Sequence, residues 1–140
     1  MQKLKMGKPH HHSESSAKKF GGKMQDYLEI HLLLDSSKMA FADNRHRALT
    51  HNSWFVNYIL PKIFGDTIKN SDGKIISVIE IAEQHILEDF NFHFIPTAQD
   101  YLIEMSKSSW LNGQGLPASS FIKKEEINSI SYKFNQKNVE

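Results

Sequence analysis

The chain has 140 residues, with 17 Lys and Arg against 16 Asp and Glu, eight histidines and no cysteine. That length suits one domain with one sizeable core, and 39% hydrophobic against 24% charged residues excludes a disordered polymer. No run approaches the roughly 18 apolar residues of a spanning helix, and without cysteine there is no disulfide framework, thiolate nucleophile or thiolate-held metal.

Met1 to Met24 reads as a flexible basic arm, carrying Lys3, Lys5, Lys8, Lys18, Lys19 and Lys23 with too few apolar groups to repay ordering. Its His10–His12 run offers weak metal ligands or, as the preferred reading, part of a polar tail. The compact domain is expected over residues 25–134, with residues 135–140 frayed. Tyr27 to Leu34 (YLEIHLLL) is an apolar run, and a helical pattern continues through Met39, Ala42, Leu49, Trp54, Phe55, Tyr58, Ile59 and Ile63. An unbroken helix from Tyr27 to Leu60 would be about 50 Å long, too long for so small a globule. A break is therefore expected near Asp35 or between Asp43 and Asn52. Asp35 either caps a new helix or lies within one already begun. Trp54, Phe55, Tyr58 and Ile59 read as core.

Asn70-Ser71-Asp72-Gly73 is a turn signal, and Thr67 to Ser77 fits a small β-hairpin. The next helix spans Ile79 to Phe90, and Thr97 caps another at Ala98 to Met105. Gly113, Gly115 and Pro117 mark a loop. Trp110 either lines a pocket or pins the C-terminal segment, and the SSFIKKEE stretch reads as a further capped helix start. The fold class is mainly α-helical, with three to five helices and one hairpin.

The segment H31LLLDSSKMAFADNRHRALTH51 carries the chemistry-bearing residues. His31 and Asp35 are four apart and share a helix face, as do His85 and Asp89 in I81AEQHILEDF90. A two-helix crossing would bring His31 or Asp35 together with His46, His85 and Asp89, while His51, about 140° from His46 around a straight helix, would join only across a kink. The leading reading has His46, His85 and Asp89 hold the ion, helped by His31, Asp35 or His51. Such imidazole and carboxylate donors suit Zn, Fe or Mn. An ion there would acidify bound water and polarise a phosphoryl oxygen. Glu88 or an unligated histidine would move the proton, and Arg45 or Arg47 would offset phosphoryl charge. The competing account needs no metal: Asp35 is a cap, Asp43 pairs with Arg47, Glu80, Glu83 and Glu88 form a solvated face, Asp89 steadies His85, and His46 is surface. His93, between Phe92 and Phe94, reads as packing.

The segments H31LLLDSSK38, A42DNRHRALTHN52, F64G65, N70SDG73, A82EQHILED89 and I95PTAQDYL102 together resemble a family of small uncharacterised bacterial and bacteriophage proteins. The resemblance covers about Tyr27 to Ile103. It implies one domain and a cytoplasmic protein, and it carries no activity. Asn52 stands where the pattern would place a second histidine after His51.

The leading expectation is a metal-dependent hydrolase, a phosphoesterase acting on a nucleotide or another small phosphorylated substrate. One alternative is a non-enzymatic interaction protein with a structural metal or none. Another is a nucleic-acid-binding accessory protein that uses the basic N-terminal arm. No membrane partner is expected, and the oligomeric state is not legible.

Overall fold

A computed structural model describes residues 8–103. The elements run α1 (Pro9–Phe20), a 3-10 turn (Met24–Asp26), α2 (Leu28–Asp35), two further 3-10 turns (Ser36–Met39 and Asn44–His46) and α3 (Arg47–Thr50). A π-helical stretch (Phe55–Ile59), α4 (Leu60–Phe64), β1 (Thr67–Lys69), β2 (Ile75–Ser77), α5 (Val78–Asp89) and α6 (Ala98–Ile103) follow. The domain is mainly helical with one antiparallel hairpin, as the sequence implies. Trp110, the Gly113–Pro117 loop, the SSFIKKEE stretch and the C-terminal residues 135–140 lie outside the described residues.

The core forms where α2 and α5 pack with the π stretch and α4. It comprises Tyr27, Ile30, Leu34, Val56, Leu60, Ile76, Val78, Ile81, Ala82 and Ile86. Ile30 and Leu34 are four apart on α2, and Val78, Ile81, Ala82 and Ile86 make one stripe of α5, so each helix turns a single apolar face inward. Ser77 starts α5 by accepting a hydrogen bond from the Glu80 amide at 3.2 Å. Thr97 and Asp100 cap α6 reciprocally: Thr97 N donates to Asp100 Oδ2 at 2.8 Å and Asp100 N donates to Thr97 Oγ1 at 3.2 Å.

Residues 9–20 depart furthest from the sequence reading. Far from being a flexible arm, they form α1, with Pro9 in the first turn and Gly21 ending it at φ 90. The inward face of α1 is His12, Ser13 and Ser16, all buried. Apolar content underestimates this helix because it is anchored by hydrogen bonds. Gln84 Nε2 on α5 donates to the His12 carbonyl at 3.0 Å, and Ser16 Oγ donates back to Gln84 Oε1.

The long pattern from Tyr27 breaks at both places the sequence offered. Asp35 is the last residue of α2, and the chain then turns through 3-10 geometry before α3. Asn52 links α3 to the next helix: Asn52 Oδ1 accepts from Phe55 N at 2.9 Å, and Asn52 Nδ2 donates to the Ala48 carbonyl at 3.0 Å. Trp54 and Tyr58 are not core. They are 54% and 53% exposed and stack on each other at 6.3 Å between ring centres. The wider π turn brings Val56 and Leu60 inward in their place, immediately before Pro61, which has no N–H to give an α-helical ladder.

The hairpin pairs Thr67 with Ser77, Ile68 with Ile76 and Lys69 with Ile75. Its tip is fastened to the α1–α2 junction. Asn70 Nδ2 donates to the Tyr27 hydroxyl at 3.1 Å, while Ser71 N and Oγ donate to the Asp26 carboxylate at 2.8 and 2.7 Å. Asp26 also accepts from Lys23 N, and these bonds hold its carboxyl below the usual range.

Candidate metal centre

Five of the eight histidines, His12, His31, His46, His51 and His85, are buried between α1, α2, α3 and α5. Asp35, His51, His85 and Asp89 each turn one ligand atom into a common space, and those atoms all lie within 4.8 Å of one another. His85 Nε2 is 3.2 Å from Asp35 Oδ1 and 3.4 Å from Asp89 Oδ2. His51 Nε2 is 2.9 Å from Asp89 Oδ2 and 3.9 Å from Asp35 Oδ1. This buried group can hold a metal ion.

The hydrogen bonds behind the group fix which ring nitrogens carry protons. Thr50 Oγ1 sits 2.6 Å from the Leu34 carbonyl, which only accepts, so its proton is committed there. His51 Nδ1, 2.9 Å from the same hydroxyl oxygen, must therefore donate to it. On the other side, Ser16 Oγ lies against two acceptors, Gln84 Oε1 and the His12 carbonyl, so His31 Nε2 must donate to Ser16 at 2.8 Å. Burial, reinforced by the His85 and His12 charges, lowers the His31 pKa to about 2, so that ring is neutral and its Nδ1 is a lone pair. His85 Nδ1, 2.9 Å away, donates to it.

Both chains end alike. His51 and His85 both carry a proton on Nδ1 and turn Nε2 to the two carboxylates, where it donates to them or, with that proton displaced by an ion, offers a lone pair. Burial lowers the pKa of His51, against the pull of Asp89. Burial also works against the charge on Asp35 and Asp89, yet hydrogen bonds and charges from the neighbouring imidazoles outweigh it, and both carboxyls stand below their usual range. With the Nε2 protons displaced, the four atoms would be lone-pair donors converging on one point and would fit a bound cation. Asp35 Oδ2 is buried without a hydrogen-bond partner.

The other sequence-derived candidates take different places. His31 is not in the four-atom group: its two ring nitrogens are occupied by Ser16 and His85. His46 donates or accepts at Ser37 Oγ, 2.7 Å away, and its ring meets His51 edge-on; burial lowers its pKa to about 4. Arg47 does not pair with Asp43. Its Nη2 is 4.0 Å from Asp89 Oδ1, its guanidinium lies over Phe90, and its Nε is buried without a partner. Asp43 instead binds Arg45, at 2.9 Å, on the exposed surface. His93 is exposed, with Phe92 and Phe94 exposed beside it.

Ser16, Thr50 and Gln84 carry no signal in the sequence, and His12, which the sequence places in a polar tail, is instead interior. His12 is 1% exposed, and its Nδ1 donates to Glu88 Oε1 at 2.7 Å. Glu88 is thereby engaged with an imidazole. Burial opposes the charge on His12, but Asp89 and Glu88 overcome it and raise the pKa to about 9. From α6, the Tyr101 hydroxyl donates to the His51 carbonyl at 2.9 Å and steadies that ligand. A surface depression lined by Asn57, Tyr58, Pro61, Lys62 and Asp66 shares no residue with the cluster.

The fold and site define a small helical protein with a buried imidazole–carboxylate centre suited to a metal. The chain belongs to the family described as a domain of unknown function, DUF6915, which matches residues 7–111. That match includes α1 and so extends the resemblance read from the sequence toward the N-terminus. No curated protein and no solved structure matches the chain.

Proposed function

We propose that this protein is a metal-dependent hydrolase, a phosphoesterase for a nucleotide or another small phosphorylated compound. The observation that supports it is the convergence of His51 Nε2, His85 Nε2 and oxygens of Asp35 and Asp89, with both rings held at Nδ1 by neighbours. Two nitrogens and two oxygens suit Mn, Fe or Zn, and six-coordinate ions would keep positions for water or substrate. A bound ion supplies Lewis acidity and acidifies water. Arg47 is a cation beside Asp89, and its free Nε offers a donor for a phosphoryl oxygen. Arg45 is tied to Asp43 and has no part in this reading.

A second reading has an observation of its own. His51 and His85 are 0% exposed, which suits an ion that ties α2, α3 and α5 together without catalysis. Turnover separates the two. Metal-loaded chain is assayed on p-nitrophenyl phosphate, bis-p-nitrophenyl phosphate and a nucleotide panel, alongside Arg47→Ala with its metal content measured. Chelator-sensitive hydrolysis that falls at least 10-fold in Arg47→Ala at equal metal content supports the hydrolase. No turnover by fully loaded chain supports the structural ion.

A further inference from the structure

His12 is the one imidazole of α1 drawn into the interior, where it stands beside the group of four converging atoms rather than within it. Its Nδ1 faces an acceptor, Glu88 Oε1, at 2.7 Å. Its Nε2 is buried, has no hydrogen-bond partner, and lies 3.3 Å from Asp89 Oδ1; an ion bound there would displace the proton that the two carboxylates favour on this ring. The ring stacks on His85 with 3.7 Å between centres and a 26° tilt. Asp89 therefore has one oxygen among the four converging atoms and the other beside His12.

We infer that His12 is a fifth ligand to the same ion, so that metal binding fastens α1 to the rest of the domain. This rests on the metal-binding part of the function proposed above. A carboxylate behind a histidine is the usual support for a metal-bound imidazole, because it fixes the tautomer and strengthens the donor. A second ion between His12 and Asp89 is disfavoured, since the Arg47 guanidinium approaches the same Asp89 oxygen at 4.0 Å. Three imidazoles and two carboxylates make a set too large for a tetrahedral ion. They favour six-coordinate Mn, Fe or Co over Zn and leave one position for water or substrate.

The test is NMR of cobalt(II)-loaded full-length chain carrying 15N-labelled histidine. Each imidazole bound through Nε2 retains an Nδ1–H, which the paramagnetic ion shifts far outside the ordinary range. The exposed His10 and His11 exchange their ring protons with water and stay silent. Three shifted N–H signals are expected, held by Glu88, Thr50 and His31, and His12→Gln should lose one while retaining bound cobalt. Only two signals in the unmodified chain would overturn the fifth ligand, leaving His12 as an imidazolium paired with Asp89 and Glu88. The metal centre would survive that result. Failure of the unmodified chain to bind cobalt would remove both.

Discussion

The Nδ1 atoms of His31 and His85 lie 2.9 Å apart, a contact that is attractive only when one of the two carries a proton and the other does not. Ser16 decides which, by taking the Nε2 proton of His31. A polar residue on α1 thus sets the proton on a ring of α5 through an intervening ring of α2. His31 works as a support for His85, and its burial follows from that role.

Replacing His31 by Phe removes the acceptor and frees His85 to adopt the wrong tautomer. Metal affinity, measured by competition with a chromogenic chelator, should fall about 10- to 100-fold, the usual effect of losing such a support. His31→Asn, whose amide oxygen can accept at a similar position, should recover part of the loss. Equal affinity in all three proteins would contradict the relay.

Thr50 performs the same service for His51. Thr50→Val removes the hydroxyl while keeping its shape and should also weaken metal binding about 10- to 100-fold, with Thr50→Ser restoring it. Rescue by serine separates orientation of His51 from packing. Circular dichroism should show all three chains folded, because the helical core lies mainly on other residues.

The sequence revealed the ligand pairs but not the geometry that unites them. His85 and Asp89 were legible because spacing of four on a helix puts side chains on one face. The hairpin was legible from Asn70 and Gly73, and the breaks in the long helical pattern from the size of the globule. α1 was not legible. Its inward residues His12, Ser13 and Ser16 are polar, and the partners of His12 and Ser16 on α5, Gln84, Glu88 and Asp89, lie at least 68 positions away. Hydrophobic periodicity has no means of reporting a helix held by a hydrogen-bonded face. Arg47 was misassigned for a related reason: Asp43 was its nearest carboxylate in sequence, whereas Asp89 is its neighbour in space.

Asp26 offers a pH test away from the histidines. Its folded-state pKa lies below 3.8 because Lys23 N, Ser71 N and Ser71 Oγ all donate to the carboxylate. The unfolded chain therefore takes up the proton first as pH falls. The stability that Asp26 contributes is complete above the unfolded value and is lost as pH drops through the folded one. Carboxyl-detected NMR should find the Asp26 midpoint below 3.8, and Asp26→Asn should remove this contribution at neutral pH. A midpoint at or above 3.8 would show that the hairpin tip is not fastened through this group.

The measurement that bears most directly on the centre is elemental analysis of tag-free chain purified without chelators, beside a His85→Ala chain treated identically. One transition-metal ion per chain is expected, lost on the substitution, because His85 Nε2 faces both carboxylates of the group. Metal-free protein even after incubation with Mn, Fe, Co and Zn, or a His85→Ala chain that keeps the full complement, would contradict the account.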